Sequence, residues 1–395
     1  MSDLADYRWL VSPEAADWLA RAAAMDERTL SLGGLRRDLG AERARLVAEQ
    51  VHLRRRAREK FPSAERMFFT RVGLEQATDA WIGSYKAQRF PTDRPVADLC
   101  SGIGGDLLAL AARAKNVRGC DLDPVTALFA VANANVQVLE NDAALFPFAE
   151  NSIWHIDPDR RPEGKRTTHL EGFRPDLTVL DHLLAKHPDA AVKLAPATRA
   201  PEAWCSLAER EWISRGGECR QQVAWFGQLA RYVGKRTATV ISQHQTEVRQ
   251  VVESNVSDTN DKVLPLRGEV AAYLFEPDAA VIAAGLVGEL AHEHGLAAVD
   301  SGVAYLTGDQ PIADRALDGF AVTDVLPLDR KQLAGLFSQR GVGRLEIKKR
   351  GCEIDPELLR KQLRLSGSNE ATLLLTPVAG KLTAIIARRV PSAQP

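Results

Sequence analysis

Val96-Ala97-Asp98-Leu99-Cys100-Ser101-Gly102-Ile103-Gly104-Gly105-Asp106, followed by the apolar run Leu107 to Ala114, is the stretch that decides the fold. A short apolar strand breaks into glycines, and a helical pattern starts at once. Such a turn lets backbone amides and the positive end of a helix face a ligand with no Cβ in the way. It favours something anionic or carboxylate-bearing. A dinucleotide fingerprint would need a third glycine where this chain has Leu107, which speaks against pyrophosphate. The acid expected after the next strand is present as Asp121, in Gly119-Cys120-Asp121-Leu122-Asp123-Pro124. A carboxylate there can accept both ribose hydroxyls of an adenosine-bearing molecule.

Outward from this stretch, apolar runs alternate with helical spacing from about Arg94 to Ser257. Val96 to Cys100, Val117 to Cys120, Ile153 to Ile156, Ala191 to Leu194 and Val223 to Phe226 read as strands. Thr237 to Ser242 and Val248 to Glu253 read as an antiparallel edge pair. The alternation predicts a parallel sheet covered on both faces, an α/β, doubly wound class. Residues 1–90 read as helical, with Ser12-Pro13-Glu14 offering a cap, a first-turn proline and a first-turn acid. The helix expected from Ala41 to Lys60 carries Arg43, Arg45, Arg54, Arg55, Arg56, Arg58 and Lys60, as a solvated face or a phosphate-contacting one. From about Gly268 the pattern becomes α+β. Val322 to Leu326, Arg344 to Lys348, Ala371 to Pro377 and Leu382 to Arg388 are its strands, the last two joined at Gly380-Lys381. Asp329 to Gln339 and a segment capped by Asp355-Pro356-Glu357 are its helices. The predicted division is 1–90, 91–267 and 268–395.

Composition narrows the classes. With 395 residues, 45% hydrophobic and 26% charged, the chain is an ordinary folded one, and disordered, collagen-like and coiled-coil classes drop out. At about 150 residues per domain, two or three domains are expected. The formal net charge is −1, from 51 Lys+Arg against 52 Asp+Glu, so a nucleic-acid partner would have to be met by a local basic patch. The cysteines Cys100, Cys120, Cys205, Cys219 and Cys352 are widely spaced with no CxxC pair, which argues against a disulfide framework or a structural zinc and fits a reducing cytoplasm. Met1 to Asp6 lacks the character of a signal peptide, and the apolar stretch Ala279 to Gly288 is too short to span a bilayer. No membrane, metal or obligate protein partner is expected.

A further acid, Asp142 in Glu140-Asn141-Asp142-Ala143, falls where a third strand would end, and Ile153-Trp154-His155-Ile156-Asp157-Pro158-Asp159-Arg160-Arg161-Pro162 follows. Together these residues resemble the class I S-adenosylmethionine-dependent methyltransferases. Asp98 with Gly102, Gly104, Gly105 and the adjoining Asp106 corresponds to the first motif, Asp121 to the ribose acid, Asp142 to the adenine-side acid, and Asp157-Pro158-Asp159 to the fourth motif. Arg66-Met67-Phe68-Phe69-Thr70, Gly73-Leu74-Glu75-Gln76-Ala77-Thr78, Lys193-Leu194-Ala195-Pro196 and Glu346-Ile347-Lys348-Lys349-Arg350-Gly351 extend the likeness over nearly the whole chain. They are similar to a bacterial family that joins a class I methyltransferase domain to a C-terminal THUMP-like domain. The resemblance implies a Rossmann-like catalytic sheet over 91–267, a THUMP-like α+β domain over 268–395, S-adenosyl-L-methionine as cofactor, and an RNA substrate, tRNA or rRNA, because THUMP-type domains elsewhere dock RNA.

Methyl transfer is an in-line displacement at a sulfonium methyl, so the enzyme mainly aligns the acceptor and shelters or removes its proton. Related enzymes that methylate amino groups of bases carry Asp/Asn-Pro-Pro-Tyr. Here Asp159 stands for the second proline and Arg160 for the aromatic ring, so Asp157 is the better candidate to orient the acceptor, and Asp159 could pair with Arg160 or Arg161. An arginine plane at Arg160 could stack on a base or hold a phosphate. No cysteine follows Lys193-Leu194-Ala195-Pro196, so nitrogen or oxygen methylation is favoured over a cysteine-nucleophile route to carbon. Candidate substrate contacts are Arg160, Arg161 and Lys193, and also Lys348, Lys349 and Arg350, which cluster with Arg360, Lys361 and Arg364 as an RNA footprint or as solvated side chains. His292 and His294, His155, and the pair Trp225 and Phe226 read as a helix end, a core or supporting residue, and packing, respectively. The alternatives to an RNA methyltransferase are a small-molecule methyltransferase and a non-catalytic RNA-binding protein that keeps the cofactor fold.

Overall fold

The computed structural model describes residues 3–25, 32–159, 172–242, 247–254 and 264–390. The chain forms two compact units, residues 1–210 with 222–234 and residues 211–221 with 235–395. These units divide at neither 90 nor 267.

In the first unit, β1 (Val96–Leu99), β2 (Val117–Asp121), β3 (Gln137–Glu140), β4 (Ile153–Ile156) and β5 (Ala190–Leu194) lie in the order β3-β2-β1-β4-β5 and are all parallel. The order reverses between β1 and β4. At such a switch point the loops leaving two neighbouring strands diverge to opposite faces and open a crevice at the carboxyl ends. The glycine loop leaves β1 and Asp157 leaves β4, so the topology aims both into that crevice. Every residue of β1, β4 and β5 is buried, as a sheet covered on both faces requires.

The helical residues before the sheet are α1 (Leu4–Leu10), α2 (Pro13–Ala24), α3 (Leu32–Leu39), α4 (Ala41–Ala57), α5 (Arg71–Gln76) and α6 (Ala80–Ala87); α7 (Gly105–Arg113) and α8 (Pro124–Ala134) follow β1 and β2. The early helices share their core with the sheet's own. Phe129 of α8 packs on Tyr7 and Phe68, and Asn133 exchanges hydrogen bonds with the backbone of Phe68. For that reason no compact boundary falls at residue 90. The arginine-rich α4 ends at Ala57, with Arg45 paired to Glu42 and Glu49, Arg54 to the Met67 carbonyl and Arg55 to the Met25 carbonyl.

Val223 to Phe226, expected as a short strand of a parallel sheet, is the end of a longer hairpin arm. β6 (Glu209–Arg215) and β7 (Glu218–Trp225) meet at Gly216-Gly217, and residues 222–225 of β7 run antiparallel to β5. β6 escapes an apolar-run search because it buries Glu209 and Glu211. Glu209 is satisfied by a two-pronged pair with Arg89, at 2.6 and 2.8 Å, and by the amides of Arg231 and Tyr232. Burial works against this carboxylate, and Arg89 with the two amides more than offsets it, holding Glu209 below its ordinary pKa.

In the second unit, β8 (Arg236–Ile241) and β9 (Val248–Val252) form the expected antiparallel pair. β10 (Tyr273–Pro277), β11 (Ala297–Ala298), β12 (Leu306–Gly308), β13 (Leu317–Pro327), β14 (Val342–Lys349), β15 (Asn369–Val378) and β16 (Lys381–Arg389) build a second sheet in the order β11-β12-β10-β13-β16-β15-β14. Its β14–β15 pair is parallel, while β15 and β16 form the expected hairpin through Ala379 and Gly380, both at positive φ. Two helices, Arg330–Gln339 and Pro356–Leu363, bury Leu333, Phe337, Leu359 and Leu363 against this sheet. Among the described residues no helix is long and apolar enough to cross a membrane.

Arg89 also lies 4.4 Å over the Trp225 ring, so Arg89→Met removes a cation–π contact and strands a fully buried carboxylate. Breaking such a pair from one side costs about 3–5 kcal/mol, and urea unfolding should show a loss of that size. Because the Glu209 pKa is depressed in the folded state, the stabilisation it gives is present above the unfolded pKa and disappears as pH falls through the lower folded value.

Candidate active site

The glycine loop has the backbone its sequence demands. Gly104 caps α7 at φ +89°, and a Cβ on Gly105 would lie 2.9 Å from the Thr78 carbonyl oxygen, so only glycine lets the 77–78 backbone approach this closely. Cys100, at φ +52°, takes the same strained region without glycine's freedom, and burial pushes its thiol well above its ordinary pKa.

Beneath the loop lies a buried chain of charges. Asp98 Oδ1 is 2.7 Å from His155 Nδ1, His155 Nε2 is 3.2 Å from Lys86 Nζ, Lys86 Nζ is 2.7 Å from Asp106 Oδ1, and Asp106 Oδ2 accepts from the Thr78 hydroxyl at 2.7 Å. Asp98, His155 and Lys86 are each about 2% exposed or less. Burial raises the Asp98 pKa, with the His155 hydrogen bond opposing it. For Asp106 burial acts in the same direction, but Lys86, His155 and Lys193 outweigh it and hold the carboxyl well below its ordinary range. Asp98 Oδ2 is buried and has no hydrogen-bond partner among the described residues.

Asp121 ends β2 and accepts from the amides of Gly102 at 2.8 Å and Asp123 at 3.0 Å. Burial raises its pKa against those two amides. Asp142, just past β3, is exposed and caps a single helical turn through the Ala144 amide. On the other side of the crevice Asp157 follows β4. Its Oδ2 is 2.5 Å from Lys193 Nζ, at 6% exposure, and that ammonium also donates to the Gln76 carbonyl at 3.4 Å. Pro158 is buried, and Asp159 is exposed, forms a backbone bridge with Arg174 and accepts from Gln76 Nε2 at 3.5 Å. Arg160 and Arg161 lie outside the described residues.

The structure therefore brings together Asp98, Gly102, Gly104, Gly105, Asp106 and Asp121 at one lip of the crevice and Asp157, Asp159 and Lys193 at the other. Lys193, expected as a substrate contact, is engaged with Asp157 and Gln76. In the second unit Lys348 and Arg350 both pair with Glu276, which leaves Lys349 as the exposed member of that triplet. His292 and His294 sit on the last turn of a helix (Val287–His294) closed by Gly295. His294 and Glu293 approach Asp314 closely enough to suggest a metal site, but Arg249 pairs with both acids and supplies the cation there. Trp225 and Phe226 are buried packing, Phe226 against Trp204. Sequence reading missed Lys86 and gave no role to Gln76 and Thr78, which lie in a stretch that carries the family resemblance. Lys86 had a signal: Ile82, Gly83, Lys86 and Ala87 share one buried helical face, and a cation on such a face needs a partner.

A family model described as THUMP domain-like matches residues 317–389. Proteins of two Mycobacterium tuberculosis strains, each named an uncharacterized S-adenosylmethionine-dependent methyltransferase, are 33% identical over 360 residues, covering 88% of this chain and 96% of each relative. A crystal structure from Porphyromonas gingivalis, of a protein assigned as a methyltransferase, has the same fold, with a TM-score of 0.78 at 20% identity over 99% of this chain and 100% of that one.

The residues present fit S-adenosylmethionine. A buried carboxylate oxygen lacking a partner is costly, and an ammonium at Asp98 Oδ2 would remove that cost. Asp121 Oδ2 keeps a lone pair for a ribose hydroxyl beside the Gly102 amide it already accepts, while Oδ1 accepts from the Asp123 amide and, at 3.4 Å, from the Thr126 hydroxyl, which a second ribose hydroxyl would displace. Asp121→Ala should weaken S-adenosylmethionine binding in calorimetry by about 1.5–3 kcal/mol, the range for hydrogen bonds to a charged group. With its pKa raised by burial, Asp121 takes up a proton at a higher pH than a free carboxylate, so affinity should begin to fall on acidification before the ordinary value of about 3.9 is reached.

Proposed function

Since the chain belongs to the S-adenosylmethionine-dependent methyltransferases, we propose that it is an enzyme that methylates a nitrogen or oxygen of RNA. The observation that carries the RNA reading is the THUMP-like match over residues 317–389 in the same chain as a methyltransferase fold. In this reading residues 91–267 hold the chemistry, residues 1–90 complete the pocket, and residues 268–395 dock the substrate.

The bound cofactor supplies an electrophilic methyl group. Asp98, Asp121 and Asp142 with the Gly102, Gly104 and Gly105 backbone hold it, and Asp106 fixes the loop from below. Asp157 accepts a hydrogen bond from the acceptor's N–H or O–H and turns its lone pair toward the methyl, and a carboxylate there can take the proton that the acceptor releases. Lys193 holds the Asp157 carboxylate through Oδ2, while Pro158 and Asp159 shape the loop and Gln76 reaches it from α5.

RNA from cells lacking the gene, incubated with the protein and S-adenosylmethionine, should gain one methylated nucleoside by mass spectrometry, and tRNA and rRNA fractions separate the two RNA classes. Methyl transfer to small metabolites with none to RNA would overturn the assignment. Asp157→Ala should leave cofactor affinity within about twofold while transfer falls by at least about a hundredfold. Loss of both together would mean Asp157 serves the cofactor instead.

A phosphate contact from the exposed Lys349 makes RNA affinity depend on salt. Lys349→Gln should lower the slope of log affinity against log salt by about 0.7–0.9, the contribution of one phosphate contact, as measured by filter binding. Lys348 and Arg350 are poorer targets, since each is already engaged by Glu276.

A further inference from the structure

The chain from Asp98 to Thr78 has a definite direction. An ionised carboxylate offers no proton, so the Asp98 contact requires the proton on His155 Nδ1. Burial lowers the Lys86 pKa, and Asp106, 2.7 Å away, opposes it. As an ammonium Lys86 offers no lone pair, so its contact at 3.2 Å requires the lone pair on His155 Nε2, which stands 3.8 Å from Asp106 Oδ2, beyond hydrogen-bond distance. Lys86 thus fixes the tautomer of His155, and His155 fixes the rotation of Asp98, whose Oδ1 is taken and whose Oδ2 is left buried and without a hydrogen-bond partner among the described residues. Asp106, tied to the Thr78 hydroxyl, holds Lys86 from the far side.

We propose that His155 and Lys86 are positioning residues for the cofactor: acting through Asp98, they aim its Oδ2 at the α-ammonium of the methionine moiety. This rests on the reading of Asp98 as a cofactor residue and is independent of what the acceptor is. Its physical basis is that a buried carboxylate keeps its charge only while hydrogen bonds to the charged form are present. His155 supplies the one on Oδ1. Burial already raises the Asp98 pKa, so withdrawing that donor favours the neutral acid, which holds an ammonium poorly. Lys86 comes from α6, so the helical region before the sheet takes part in recognising the amino-acid end of the cofactor.

Two ligands separate this role from general support of the pocket. S-adenosylhomocysteine carries the ammonium, and 5′-methylthioadenosine has the same adenosine without the amino-acid part. Two substitutions separate the ends of the imidazole: His155→Asn keeps an amide donor near the Nδ1 position, and His155→Gln presents its amide near the Nε2 position and withdraws the donor from Asp98. Calorimetry on the full chain should show His155→Gln losing at least about tenfold in S-adenosylhomocysteine affinity, with 5′-methylthioadenosine changed by less than about twofold. His155→Asn should stay within about threefold of the parent for both ligands. Equal losses for both ligands, or no loss in His155→Gln, would overturn the proposal.

Wild-type protein labelled with 15N-histidine gives a test that needs no folded variant. The His155 ring should show the Nδ1–H tautomer, and its Nδ1 signal should move with S-adenosylhomocysteine but not with 5′-methylthioadenosine. An Nε2–H ring, or identical responses to the two ligands, would overturn it. RNA enters neither experiment, so failure of the RNA assignment leaves both readouts intact.

Discussion

The Lys86 ammonium, buried between Asp106 and His155, is the interaction on which the site depends. An ammonium moved from water to a protein interior loses several kcal/mol of hydration, and it stays charged only if opposite charge and acceptors meet it there. Meeting it brings three elements into register: α6 carries Lys86, the first turn of α7 carries Asp106, and the middle of β4 carries His155. Helix α6 can come close enough because its partners are small. A Cβ on Gly83 would already stand 3.3 Å from Ala109 Cβ, and one on Gly105 would press on Thr78. The residues before the sheet are therefore part of the same compact unit as the crevice, sharing both its apolar core and its charge network.

At the opposite lip of the crevice a second buried lysine works differently. Lys193 is the single cation of an otherwise apolar strand, and it meets a carboxylate that remains a quarter exposed. One partner is buried and the other opens toward solvent, so the pair can fix a carboxylate without consuming it. Asp98 and Asp157 illustrate two uses of one side chain. The first is enclosed and wired to imidazole, and the second is held at the rim by an ammonium.

The second unit shows how a chain of net charge −1 distributes its cations. Lys348 and Arg350 converge on Glu276, Arg389 on Asp318 and Glu346, and Arg340 on Asp324. Of the consecutive basic residues Lys348, Lys349 and Arg350, two are thus neutralised by one glutamate of β10. A run of cations in a sequence is a patch only after its partners have been subtracted, and those partners come from 70 or more positions away in the case of Glu276.

Local rules made much of the molecule legible. Ile153 to Ile156 has the bounds the alternation predicts; β1, β2 and β5 differ by a residue, and the β15–β16 hairpin forms at its glycine. The turn from Asp98 to Asp106 was readable because backbone sterics restrict φ > 0 and close approach largely to glycine. β6 was not legible, because its buried glutamates need partners from distant segments, Arg89 and Thr239. The same holds at the site. The sequence by itself determined where strands give way to the glycine loop and to Asp157, since apolar alternation and glycine placement are short-range patterns, while the strand order that turns both into one crevice is a tertiary property. Only the tertiary structure decided that Lys86 joins Asp106 to His155, that Lys193 holds Asp157, and that Lys348 and Arg350 are already paired. Each of these is a charge whose buried environment is built by residues far away in the chain, and charge pairing at a distance leaves no periodicity to read.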